Sequence, residues 1–206
     1  EEKRLLQQAL PIFIAYYGDE HVKVAEVLAN LAGADLALGN NNEAKAGFEK
    51  AFLILKTYYG ENHPHTAVEL ANLARTYLAL SDYSKAKNLF EQAIMLKRDY
   101  YGERHLEVAI TQLGLVIVEI HSKHFTQASR LLYECESIFS SQPGGRPYLL
   151  NCETLRQIIQ NSVLEQPRPQ QPSEREYFSK SCAFWSMGLV GVGAAAAIAI
   201  YMARRG

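Results

Sequence analysis

Three histidines, His21, His63 and His105, recur 42 residues apart, each four residues after a tyrosine in Tyr17-Gly18, Tyr59-Gly60 and Tyr101-Gly102. Imidazole is a common metal ligand, so a repeated histidine invites a metal centre. Copies of one structural unit stand about a helix-pair thickness apart, too far to share an ion with bonds of about 2 Å. The histidines are therefore read as caps at helix starts, with no metal expected. The doubled tyrosines Tyr16-Tyr17, Tyr58-Tyr59 and Tyr100-Tyr101 could stack nucleobases. The formal net charge is −1, with 21 basic and 22 acidic residues well mixed, so no basic stripe accompanies them. Packing between repeats is the expectation, and no nucleic-acid partner. Cys135, Cys152 and Cys182 are odd in number and lack metal-ligand spacing, which reads as reduced thiols. Cys182 could be acylated; an unmodified thiol is the plainer reading. No nucleophile–base set, phosphate-cradling glycine loop or paired acids can be assembled, so neither an enzyme nor a cofactor is expected.

The elements that carry these residues follow from the period. Residues 16–57 and 58–99 share 18 identities in 42 positions, at small and apolar sites. Each Tyr-Gly hinge precedes two Ala- and Leu-rich segments, so the unit is a helix pair and the fold class all-α. Residues 1–15 read as the second helix of a truncated repeat, with Leu6 and Ala9 in register with Phe48 and Ala51. Repeat one, 16–57, has helices near 22–38 and 43–58 around a Gly39–Asn42 turn; repeat two, 58–99, has helices near 64–80 and 84–100. Repeat three, 100–142, is degenerate, with helices near 106–121 and 125–140. There Gly114 stands for Asn30 and Asn72, and Val116, Ile117 and Val118 make the first helix apolar all round. Cys135 falls at the core site of Ala51 and Ala93. Within 143–165, Pro143–Pro147 breaks the chain before a capping helix, 148–164, that offers Leu149, Cys152, Leu155, Ile159 and Val163 to the last repeat.

Residues 166–181 form a Pro/Gln linker with no capacity for a core. Residues 182–203 hold no charge over 22 positions, enough at about 1.5 Å per residue to cross an apolar slab of about 30 Å. A C-terminal transmembrane helix is expected, with Trp185 and Tyr201 near its ends. Gly191, Ala195 and Ala199 would give it a smooth face through which two copies could associate.

The hinges, the cores Leu28-Ala29-Asn30-Leu31-Ala32 and Leu70-Ala71-Asn72-Leu73-Ala74-Arg75, and the spacings Ala44, Phe48, Ala51 and Ala86, Phe90, Ala93 together resemble the tetratricopeptide repeats of kinesin light chains. The resemblance covers roughly residues 1–142. It implies a right-handed α-α superhelix with the first helix of each pair on the inner wall, and close contacts of Ala32 with Ala44 and of Ala74 with Ala86. It also implies that the inner wall binds partner peptides, with Asn30 and Asn72 facing the groove and Gly33 and Arg75 one turn further along. Ala29, Gly33, Ile110 and Gly114 stand where relatives that clamp a chaperone's terminal carboxylate carry Lys, Asn and Arg, which disfavours that ligand.

The resulting expectation is a membrane-anchored adaptor or scaffold that binds partner peptides in its concave groove. The repeats would lie on the cytosolic side of a mitochondrial outer or endoplasmic reticulum membrane. The alternative is a structural or assembly subunit of a membrane complex, which an exposed apolar patch around Val116 and Val118, or a stable oligomer that persists without the span, would favour. Arg204 and Arg205 after the span lean toward an inverted topology, including a bacterial C-terminal sorting tail.

Overall fold

The computed structural model describes residues 1–164, and Glu1–Val163 form one compact unit. Eight α-helices follow one another: α1 Glu2–Tyr17, α2 Val22–Ala37, α3 Asn41–Tyr59, α4 Pro64–Ala79, α5 Tyr83–Tyr101, α6 Leu106–His121, α7 Phe125–Ser141 and α8 Arg146–Leu164. They form an all-α helical repeat solenoid in which α2–α3, α4–α5 and α6–α7 are the hairpins, and each also packs on the next.

Two kinds of turn build the array. Between hairpins, Gly18, Gly60 and Gly102 hold φ of 88 to 89°, with ψ of 156 to 167°, a region only glycine enters cheaply. The histidine three residues on then caps the next helix. Nδ1 of His21, His63 and His105 accepts the N–H of Lys23, His65 and Glu107 at 3.1 to 3.3 Å. Tyr17, Tyr59 and Tyr101 stack on these rings at 4.2 to 4.8 Å. The expectation that both tyrosines pack between repeats needs correcting. Tyr16, Tyr58 and Tyr100 are 80%, 63% and 62% exposed, and their rings meet those of Tyr17, Tyr59 and Tyr101 edge to face.

Within hairpins the turn is a Schellman motif. Asn40, Asp82 and His124 donate backbone N–H to the carbonyls of Asp35, Tyr77 and Glu119 at 2.8 to 2.9 Å. Gly39, Ser81 and Lys123 take the left-handed position at φ 79, 60 and 62°. The same residues that close one helix thus open the next, which keeps the connection short.

Small residues let the helices of a pair approach. Ala32, Ala44, Ala74 and Ala86 are buried, and a Cβ on Gly47 would meet Ala32 Cβ at 2.8 Å. Phe48 and Phe90 fill the space between. Val116 and Val118 are fully buried, as a helix covered on more than one side requires; their hydrophobicity serves the core of α4 to α8, and the exposed patch that would have favoured an assembly subunit is not found there. Helix α8 covers that core with Cys152 and Ile159, but Val163 is 49% exposed and contributes little. This helix begins at Arg146, so Pro147 lies in its first turn, where a missing N–H costs nothing.

No helix among the described residues is long and apolar enough to cross a membrane. The expected span and its residues Trp185, Gly191, Ala195, Ala199 and Tyr201 lie outside the described residues.

Candidate functional site

Helix α2 meets α4 and α4 meets α6, whereas among the described residues α3 and α5, or α5 and α7, do not approach each other. A stack that is close on one side and splayed on the other is curved, with α2, α4 and α6 on its inner wall. Each of these helices leaves one stripe uncovered, at spacings of three and four residues. On α2 it is Lys23, Glu26, Asn30, Gly33 and Ala37; on α4 it is His65, Val68, Asn72, Arg75 and Ala79.

Both candidate pairs fall on this stripe. Asn30 is exposed and Gly33 half-buried, with open space where a Cβ would stand. Asn72 is half-buried and Arg75 exposed one turn beyond; Arg75 forms no ion pair within the described residues. Asn72 is not free: its Nδ2 donates to Glu69 Oε2 at 3.4 Å. Glu69 is 5% exposed, and burial pushes its carboxyl up to about 7 against the opposing hydrogen bond from Asn72.

Over α6 the stripe changes character. Ile110, Gly114 and Ile117 are half-buried and make it apolar. A Cβ on Gly114 would lie 2.4 Å from the Phe90 ring, so the asparagine ladder ends here for a steric reason. The surface is thus polar over α2 and α4, where it presents the Arg75 guanidinium, and apolar over α6.

Two features escaped the reading of the sequence. Lys3, Lys45 and Lys87 stand 42 residues apart and reach the same place on the following helix, where they meet Asp35, the Tyr77 ring and Glu119. The period itself was the available sign. Glu69 and Gln112, both buried, take positions held in the first repeat by Val27 and Leu28. Only comparison of the repeats with one another reveals them.

Residues 27–99 match a family model described as tetratricopeptide repeat. The crystal structure of BtubC (BKLC) from P. vanneervenii aligns with a TM-score of 0.62 and 22% identity, over 69% of this chain and 57% of that one. The chain therefore spans little more than half of BtubC. A Podosopora anserina protein with nearly identical TPR-like repeats of kinesin light chain type aligns with a TM-score of 0.59 and 21% identity, over 81% and 88%. A point-substituted form of that protein gives 0.60 and 22%, over 80% and 87%. No curated protein sequence is significantly similar.

Proposed function

Because residues 27–99 are tetratricopeptide repeats on a kinesin light chain-like fold, we propose that this chain is a protein-interaction scaffold that captures an extended peptide across α2, α4 and α6. The observation that carries the reading is the approach of α2, α4 and α6 to one another, which sets their open stripes side by side. Asn30 and Asn72 offer amides that can donate to and accept from a peptide backbone. Arg75 suits an acidic side chain, and Ile110 and Ile117 an apolar one beyond it. In this reading the hairpins wind as a right-handed superhelix, and residues 182–203 tether the groove to a membrane. Their charge-free run supports the tether, which would raise the groove's effective concentration toward other membrane-bound proteins.

An exposed patch at Val116 and Val118 would have favoured the assembly-subunit alternative, and both are buried; a stable oligomer that persists without residues 182–206 would still favour it. The test is peptide selection from a displayed random library on the full chain, followed by binding to variants. Selected peptides should pair an acidic with an apolar residue. Asn72→Ala with Arg75→Ala should weaken them at least about tenfold, a loss of about 1.4 kcal/mol, measured at a temperature where the variant is still folded. Unchanged binding by the double variant would sink the assignment.

A further inference from the structure

A separate cavity lies on the outer wall. It sits between α5 and α7, measures about 570 Å³ and is floored by Ile94, Leu115, Leu131 and Gln112. Gln112 is 2% exposed, and its Oε1 is the one buried side-chain oxygen or nitrogen among the described residues without a hydrogen-bond partner. In the two preceding repeats the same register holds Leu28 and Leu70, both buried. The preceding repeat also places Phe52 where this one has the smaller Ile94, and Phe52 packs into the core beside Leu70 and Leu73. Two substitutions thus distinguish this interval: one leaves room, and the other sets an unsatisfied amide in its floor.

Charge narrows the occupant. Glu91, Asp99, Glu103 and Glu134 line the cavity against Arg98 and Arg130, and Arg130 already lies 3.9 Å from Glu134. The balance favours a cation that can also donate to a neutral amide oxygen. We propose that this cavity binds the side chain of an arginine in a partner peptide. A guanidinium has a fork of N–H donors for the amide and the carboxylates together, and its weakly hydrated faces suit Ile94, Leu115 and Leu131. An ammonium keeps its water more tightly, so lysine is the poorer fit. The site is independent of the inner groove, since none of its residues lies on the open stripes.

The test uses the full chain and three peptides, acetyl-Gly-Ser-Xaa-Ser-Gly-amide with Xaa arginine, citrulline or lysine. Nuclear magnetic resonance follows the Gln112 side-chain amide. The arginine peptide should move that signal and bind at least about tenfold more tightly than the citrulline peptide, which has the same shape without the charge. Gln112→Leu restores the residue of the other repeats, so the fold is kept, and it should cost about tenfold or more in arginine-peptide affinity. Glu103→Gln with Glu134→Gln, on the rim, should weaken binding several-fold, while Asn72→Ala leaves it unchanged. Equal binding of arginine and citrulline peptides, no binding of either, or wild-type affinity in Gln112→Leu would overturn the site.

Discussion

Lys87 Nζ lies 2.7 Å from Glu119 Oε1, and Glu119 is 1% exposed. His124 Nδ1 donates to the other oxygen at 2.8 Å. Burial pushes this carboxyl up, but Lys87 and His124 outweigh it and hold it below the usual carboxylate range. Two repeats earlier Lys3 and Asn40 treat Asp35 in the same way, whereas between them Lys45 lies 5.5 Å over the Tyr77 ring. Removing one partner of a buried pair strands a charge, while losing an exposed cation–π contact costs little. Lys87→Met should therefore destabilise the fold by about 1–3 kcal/mol and Lys45→Met by about 0.5 kcal/mol or less, read by urea denaturation.

Glu69 behaves oppositely, because it forms no ion pair among the described residues. Its pKa, about 7 when folded against the ordinary 4.5, means that the folded state holds the proton more tightly. Stability from this group is greatest below about pH 4.5 and falls as pH rises through 7, by about 3 kcal/mol in all at 1.36 kcal/mol per pH unit. Glu69→Gln keeps the shape and removes the charge. Its melting temperature should exceed the wild type's at pH 8 and match it near pH 5; equal melting curves at both would count against the assignment.

How much of this could be read beforehand depends on whether a residue obeys the period. The hinges and the helix pairs were legible because glycine, histidine and alanine recur where backbone conformation or close packing demands them. Gly60 and Ala74 are such cases. The stripe bearing Asn72 and Arg75 came from likeness to a family, since helical spacing alone does not say which face lies inside the curve. Tyr58 misled because an aromatic residue repeated at fixed spacing resembles core, yet only its neighbour Tyr59 finds a partner in the hinge. Gln112 and Glu69 were illegible one repeat at a time, since a polar residue on a helix ordinarily faces water.

Ser81 and Lys123 hold a left-handed backbone that the first hairpin gives to Gly39. A side chain there costs about 1 kcal/mol. Lys123→Gly should raise stability by about 0.5–1 kcal/mol, and Gly39→Lys should lower it by about 1 kcal/mol, both measured by urea denaturation.

Gly114 makes the opposite case for a glycine. Alanine ordinarily strengthens a helix interior by about 1 kcal/mol, but here a Cβ would enter the space of the buried Phe90 ring. Gly114→Ala should destabilise by about 1–3 kcal/mol. Adding Phe90→Leu should recover part of that loss, so the double variant should be more stable than the sum of the two single changes implies.

The most direct test of the inner wall is to map backbone amide shifts of the full chain as a library-selected peptide is added. The largest changes should cluster on Asn30, Asn72, Arg75 and Ile117, with the α3 and α5 surfaces silent. Changes confined to α3, α5 and α7 would show that the peptide binds the outer wall and contradict the groove.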